Sequence, residues 1–432
     1  MTVKKTAFFK SLLALLLVPA MCLGIFVGCK GEDGKKDDGA STTTTADPDA
    51  NKTPEYAGDF SKPQSSSEKV EDGNYIDVSA VDAKYVSKSN GNIYVSALAP
   101  VMELGGIVHP EKNGNQYYRL DSTKASSYSS ANNNKAKQTA GVTLRFRTNA
   151  SYIYLKTVMR DCNTTYQHFA DRGAFGFDVY VGTGTDRVYL TGQGNLTNAT
   201  KLNEKLTLPG GYQEVTINFP LYGGVKSVDI GFPEGSKIAP PTSRTYGDIC
   251  FYGSSITQGC AASRPGNAYS NMICRMLNAN NVNLGFSGSA LGEQVIAEYI
   301  ASRDIAAFVM DYDYNNTVEG LRDTHYAFYE TVRKAHPDIP IIMVTHPIYT
   351  PKPTSSDLDR QAIIKSSYNK AVKAGDENVY FVNGEDFFLD EMPDIYAVDM
   401  CHPNDLGNYC MAKTIYAVLK AALEKSYPDA KI

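Results

Sequence analysis

The 432-residue chain has no tryptophan and only six histidines. Any aromatic stacking surface must therefore come from its 29 tyrosines and 17 phenylalanines. An excess of basic residues is also missing. With 42 Lys and Arg against 47 Asp and Glu, the formal net charge is −5 and the pI is near 5.8. Holding a phosphate backbone needs clustered cations, so nucleic acid is excluded as the main partner. There is no Walker loop, and no G-x-G-x-x-G precedes a helix, so nucleotide chemistry has no support. The eight cysteines contain no Cys-x-x-C pair, which argues against a structural zinc site. The G-x-S-x-G elbow is absent too, because Thr257 rather than Gly lies two residues after Ser255.

What is present begins with a targeting segment. Lys4, Lys5 and Lys10 form a basic start, Leu12 to Val27 is an apolar run interrupted by Pro19, and Gly28 stands directly before Cys29. This is the pattern of a secretory signal. A small residue followed by Cys resembles a bacterial lipobox, with Phe26 where Leu is usual. The resemblance implies that residues 1–28 are a signal peptide, cleaved before Cys29, whose sulfur then carries lipid. The expected location is extracytoplasmic, on the cell membrane; an ordinary signal peptide and an uncleaved anchor remain open. Residues 29–72 are polar and charged, with Thr42 to Thr45 at their centre. They hold too few large apolar residues to offset chain entropy and read as a disordered tether. Outside the cytoplasm disulfides are permitted, so a Cys260–Cys401 bridge stays open, while Cys250 reads as a small buried hydrophobe.

Two domains follow, as the length suggests. Residues 73–242 alternate apolar and polar: Val142, Leu144 and Phe146 with Thr143, Arg145 and Arg147, then Phe175 to Val181, Val215 to Phe219 and Val228 to Phe232. Period-two patterning predicts strands with one buried face. Gly182 to Asp186 and Pro209 to Gly211 supply turns. No strong helical stretch interrupts them, so an all-β sandwich or jelly roll is expected. Its role is left between carbohydrate binding and shielding of a neighbouring site. From residue 246 to 432 short apolar strands alternate with helices. Strands are expected up to Gly253 and at 282–286, 306–311, 341–345 and 379–382. Helices are expected at 267–278, 292–302, 318–335, 358–374 and 403–425. That order predicts an α/β domain with a parallel sheet covered on both faces.

The first strand of that domain ends in Gly253-Ser254-Ser255-Ile256. Further on stand Asn283-Leu284-Gly285-Phe286-Ser287-Gly288, then Asp313-Tyr314-Asn315, and finally Asp399-Met400-Cys401-His402-Pro403. A serine hydroxyl needs an adjacent base to become a nucleophile. His402 is of the right type, and a carboxylate three residues earlier suits the task of orienting the imidazole. These four blocks, in this order, resemble the SGNH, or GDSL-like, hydrolase family. Ser254 stands where that family usually has Asp, Ile256 where it has Leu, and Asp313 where it has Gly. The run from Tyr252 to Tyr269 is similar to a subgroup with an added N-terminal β-sandwich. The resemblance implies a flavodoxin-like, three-layer parallel sheet and a serine esterase. It implies Ser255, His402 and Asp399 as the catalytic triad. The oxyanion donors would be the backbone N–H of Ser255 and Gly288 and the side-chain amide of Asn315.

Other residues are less committed. Arg264 is left between a substrate contact and a loop-bracing ion pair, and His346 between the substrate crevice and a structural place. Glu385 and Asp386 lack a histidine cluster and read as solvated loop charge rather than metal ligands. His109, His168, His325 and His336 have no motif around them and read as structural or exposed. The expected activity is hydrolysis of short-chain, acetyl O-esters on carbohydrates through an acyl-serine, with no metal or organic cofactor implied. The expected partners are an acylated carbohydrate or other small ester and, through the lipid anchor, the membrane. Acyl transfer to an alcohol through the same intermediate and a non-catalytic glycan-binding lipoprotein are the alternatives.

Overall fold

The computed structural model describes residues 70–160, 166–193, 199–350, 352–388 and 392–430. The expected signal peptide, Cys29 and the tether as far as residue 69 lie outside them. Among the described residues no helix is long and apolar enough to cross a membrane.

The N-terminal half contributes β1 (Ile76–Asp77), β2 (Val86–Ser89), β3 (Asn92–Ser96), β4 (Glu103–Gly105), β5 (Thr143–Thr148), β6 (Tyr152–Arg160), β7 (Phe177–Val181), β8 (Val188–Gln193), β9 (Lys201–Thr207), β10 (Gln213–Asn218), β11 (Gly224–Pro233) and β12 (Lys237–Ala239). One sheet runs β1-β12-β5-β10-β7-β8, with β4 also on β5; the other runs β2-β3-β11-β6-β9. Their inner faces share one core, in which Leu144, Phe146 and Ile217 meet Leu155, Val228 and Ile230. Phe146 and Phe232 touch edge to face at 5.6 Å. This is the expected sandwich. Two short helices, α1 (Ser130–Ala136) and α2 (Asp171–Phe175), break the all-strand reading. Both are too short to show a helical period in sequence.

The larger sheet departs from the one-buried-face expectation. All six residues of β5 and all six of β10 are buried, because the C-terminal half covers the second face. That covered face is polar, and Arg145 and Asp178 on it are held by partners of opposite charge. Arg145, fully buried, bonds Glu214 at 2.7 Å and Glu103 at 3.1 Å. Glu214 also accepts from the Thr242 N–H at 2.7 Å. Asp178 accepts from Asn218, from Arg264 and from the Gly266 N–H.

The C-terminal half holds the parallel strands β13 (Asp248–Gly253), β14 (Asn280–Gly285), β15 (Ala307–Asp311), β16 (Ile341–Val344) and β17 (Val379–Val382). Between and after them come α3 (Ser255–Gln258), α4 (Tyr269–Met276), α5 (Gln294–Ala301), α6 (Val318–Ala335), α7 (Ser355–Lys373) and α8 (Asp405–Ser426). The strand order β14-β13-β15-β16-β17 is the flavodoxin-like 2-1-3-4-5. On one face α4 and α8 pack Ile273 and Leu419 against Ile249 and Phe251. On the other, α5, α6 and α7 bring Ile296, Phe328 and Ile364 to Cys250 and Tyr252. Burial on both faces is why these strands read as unbroken apolar runs. Helix α7 begins three residues before the first apolar residue suggested, because Thr354 and Asp357 form a capping box.

Candidate active site

Strand β13 lies between β14 and β15, so the chain leaves it toward one side of the sheet and later crosses to the other. Its C-terminal end is therefore the point where such sheets open a crevice. The strand ends at Gly253, where a Cβ would stand 2.0 Å from the Asp311 carbonyl oxygen, so no side chain fits. Ser254 then caps α3, its hydroxyl accepting from the Ile256 N–H at 3.2 Å. Capping is a task Ser performs as well as the Asp usual in this motif. Ser255 follows on the first turn, with its Oγ 2.9 Å from His402 Nε2.

His402 arrives on the loop before α8. That loop is closed by a bridge between Ala397 and Pro403 and by the Val398 N–H donating to the His402 carbonyl at 3.0 Å. Asn404 pins its far end by capping α8, accepting from the N–H groups of Leu406 and Gly407. One oxygen of Asp399 lies 2.8 Å from His402 Nδ1. The other accepts the backbone N–H groups of Cys401 and His402 at 3.1 and 2.8 Å. Between them Met400 adopts φ +61°, a conformation costing a non-glycine residue about 1–3 kcal/mol. Burial alone pulls the His402 imidazole down, but the Cys401 thiol and Asp399 carboxylate beside it outweigh that and push it up to about 9. The hydrogen bonds from His402 hold the Asp399 carboxyl below its usual range against its partial burial. With Nδ1–H assigned toward Asp399, Nε2 is the acceptor facing the Ser255 hydroxyl.

Gly288 lies on the turn after β14 with φ +71°, left-handed backbone that favours glycine. The Phe286 carbonyl builds this turn. It accepts from the N–H groups of Ser289 and Ala290 and from Asn315 Nδ2 at 3.1 Å. Asn315 is thereby tied to the Gly288 turn and keeps a second amide hydrogen. Gln258, fully buried, fixes the same turn from below. Its Oε1 accepts from the Ser287 N–H at 2.9 Å, and its Nε2 donates to Gln138 Oε1 and the Leu221 carbonyl. Arg119, also fully buried, donates to the carbonyls of Asn283 and Gly285 at 2.8 and 2.9 Å. Burial draws its guanidinium down to about 9, so it remains a cation at neutral pH. Gln138, Leu221 and Arg119 all belong to the N-terminal half, which thus supports the end of β14.

That half also reaches the crevice itself. Tyr222 donates to the Ser255 carbonyl at 3.3 Å. The ring of His168 stacks on that of His402, with centroids 4.9 Å apart and planes 21° apart. This corrects the reading of His168 as structural or exposed: nothing in its sequence surroundings marks it, and only the tertiary fold brings it to His402. An open cleft of about 990 Å³ runs beside these rings, lined by Gln167, His168, Phe169, Ser263, Asp399 and Leu406 among others.

Arg264 sits elsewhere. Its guanidinium bonds Asp178 at 2.8 Å and Tyr180, and lies over the Tyr189 ring at 4.0 Å. Of its two readings, the bracing ion pair is the one these contacts carry. His346 is buried with both ring nitrogens engaged, Nδ1 by Asp313 at 2.6 Å and Nε2 by Asp357 at 3.2 Å. Burial lowers its affinity for a proton, and the two carboxylates more than restore it. It borders a second cavity of about 430 Å³ with Tyr314, Tyr349 and Met400. Asp313, which replaces the usual Gly, is thus the partner of His346. Cys260 and Cys401 are both free thiols. His325 is buried and stacks on Tyr312 at 5.5 Å.

Residues 247–420 match the GDSL-like lipase/acylhydrolase family, and residues 93–238 match the N-terminus of SGNH-hydrolase-type esterases. Among solved structures, a protein described as a GDSL-like lipase from Bacteroides ovatus is 27% identical. The match covers 77% of this chain and 98% of that one, with a TM-score of 0.69. A salicylyl-acyltransferase from a tetracycline biosynthetic pathway shares the fold at 18% identity, over 76% and 96% of the two chains and with a TM-score of 0.61. So does a family two carbohydrate esterase from Cellvibrio japonicus at 13% identity, over 77% and 98% and with a TM-score of 0.53. No curated protein matches the chain. The two family matches cover both halves, and the protein is a carboxylic-ester hydrolase of the GDSL-like, or SGNH, family with that family's N-terminal β-domain.

Proposed function

We propose that this esterase removes short acyl groups, acetyl in particular, from carbohydrate hydroxyls, working outside the cytoplasm on a lipid anchor at Cys29. The observation that carries the chemistry is the chain Ser255 Oγ–His402 Nε2 and His402 Nδ1–Asp399, at 2.9 and 2.8 Å. His402 takes the Ser255 proton as the hydroxyl attacks the ester carbonyl, and returns it to the leaving alcohol oxygen. Asp399 fixes the tautomer and stabilises the imidazolium. The oxyanion meets the N–H groups of Ser255 and Gly288 and the Asn315 amide. Water then repeats the attack on the acyl-serine, releasing the acid and restoring Ser255.

The carbohydrate reading rests on the cleft. It is wide and open, and Gln167, Ser263, Asn404 and Asp405 along its wall suit a hydroxyl-rich alcohol. Phe169 offers a phenyl surface in a chain without tryptophan. The fold is shared with a protein described as a family two carbohydrate esterase, which supports the choice of substrate class for testing.

The test is a deacetylation screen over acetylated xylan, mannan, pectin and peptidoglycan fragments, with Ser255→Ala as control. Acetate release from one of them, lost in the variant, is the expected result; release from none removes the carbohydrate reading. On p-nitrophenyl acetate, Ser255→Ala or His402→Ala should lower kcat on the order of 10⁶ and Asp399→Ala roughly 10⁴. Asn315→Ala should cost about 10²–10³. An unchanged rate in Ser255→Ala sinks the nucleophile assignment. Adding an acceptor alcohol separates hydrolysis from acyl transfer.

A further inference from the structure

We propose that His168, Cys260 and His402 form a zinc-binding site whose occupation switches the esterase off. The site stands on donor geometry alone, while its effect on activity rests on the reading of His402 as the base. One ligand atom from each of the three residues lies within 4.8 Å of the other two. In a tetrahedral zinc site such atoms stand about 3.4–3.6 Å apart, so closing the set asks for a shift of roughly 1 Å together with a turn of the stacked rings that brings both lone pairs onto the ion. Cys401 Sγ, 4.0 Å from His402 Nε2, is the nearest candidate for a fourth position; water is the other.

The donor types point to the metal. Two imidazoles and a thiolate suit zinc and are poor ligands for magnesium or calcium. The outer shell is also in place, since Asp399 holds His402 Nδ1 at 2.8 Å. A carboxylate behind a ligating imidazole fixes its orientation and strengthens it as a donor. His168 and Asp399 line the open cleft, which gives the ion a route in. On binding, the Cys260 thiol and the His402 imidazolium each release one proton to solvent; the freed sulfur and nitrogen pairs bond the metal, and His168 adds the lone pair of its neutral ring. The lone pair of His402 Nε2 is the one that faces Ser255 Oγ at 2.9 Å. A metal bound there leaves the serine without a base. The sequence shows no metal motif because the donors come from the loop before α2, the turn after α3 and the loop before α8.

The experiment uses the chelator-stripped protein. It is titrated with cobalt(II), followed by the near-ultraviolet thiolate-to-cobalt charge-transfer band. Zinc chloride is then titrated against both the band and p-nitrophenyl acetate hydrolysis. The expected result is a saturable one-to-one band that zinc displaces, with inhibition at the same zinc midpoint. Cys260→Ser should weaken the band, and Cys260→Ser with Cys401→Ser should abolish it. His168→Gln should raise the zinc midpoint roughly 10–100-fold, each variant being compared with its own metal-free rate. The His168 variant, at a part-exposed position, serves if Cys260→Ser does not fold. Absence of the band in the wild type, or an unchanged midpoint in His168→Gln, overturns the site. A band without metal-free hydrolysis of this ester would retain the site and remove the short-acyl reading of the enzyme; activity without a band would do the reverse.

Discussion

His402 sits between two groups that favour its charged form, Asp399 at 2.8 Å from Nδ1 and Cys401 Sγ at 4.0 Å from Nε2. Together they raise the imidazole to about 9 despite its partial burial. A general base must be neutral to accept a proton. The hydrolysis rate should therefore climb with pH through a limb well above the ordinary histidine value of about 6.5. Cys401→Ala removes one of the groups that raise it, so its limb should lie at lower pH than the wild type's. Profiles of kcat/KM against pH for the two proteins check this, and a wild-type limb at or below the ordinary value contradicts it. The same residue shows how partial the sequence reading was. Asp399 and His402 were visible as a pair because three residues of one loop hold both. His168 was not, because stacking across 234 residues leaves no trace in local pattern.

The turn after β14 is held by Gln258, which bonds the Ser287 N–H on one side and Gln138 and Leu221 on the other. Gln258 touches no proposed reacting atom and positions those that do. Gln258→Ala should lower kcat by about 10²-fold with KM little changed, as expected when oxyanion donors drift by about 1 Å. Gln258→Glu keeps an acceptor for Ser287 and should recover part of the loss; equal effects on kcat and KM in both variants would reduce Gln258 to packing. At this scale the parallel strands were legible, since strands covered on both faces appear as continuous apolar runs. β5 and β10 were half legible. Alternation looks the same whether the polar face meets water or a second polar surface, and here Arg145 meets Glu214 and Glu103. Helices α1 and α2 were silent for lack of length.

The two halves of the molecule form one working unit. The C-terminal half carries Ser255, His402, Gly288 and Asn315. The N-terminal half supplies the buttress behind the Gly288 turn, the Tyr222 bond to Ser255 and the ring on His402. Residues 246–432 produced alone should lose at least about 10²-fold in ester hydrolysis even where they fold, by the same misplacement argument. Comparing their rate and circular dichroism with those of the whole chain is the check, and full activity in the isolated half would reduce the β-domain to a passenger. This interdependence was not readable in advance, because the Gln138–Gln258 and Arg119–Asn283 contacts span 120 and 164 residues.

The position of Leu406 has a practical consequence. It is 43% exposed at the first turn of α8 and borders the open cleft, in a chain that contains no indole at all. Leu406→Trp would make that position the sole emitter when the protein is excited beyond the tyrosine range. Arrival of an oligosaccharide, or of an ion beside His402, would then be seen directly as a change in colour or brightness, without any chemical turnover.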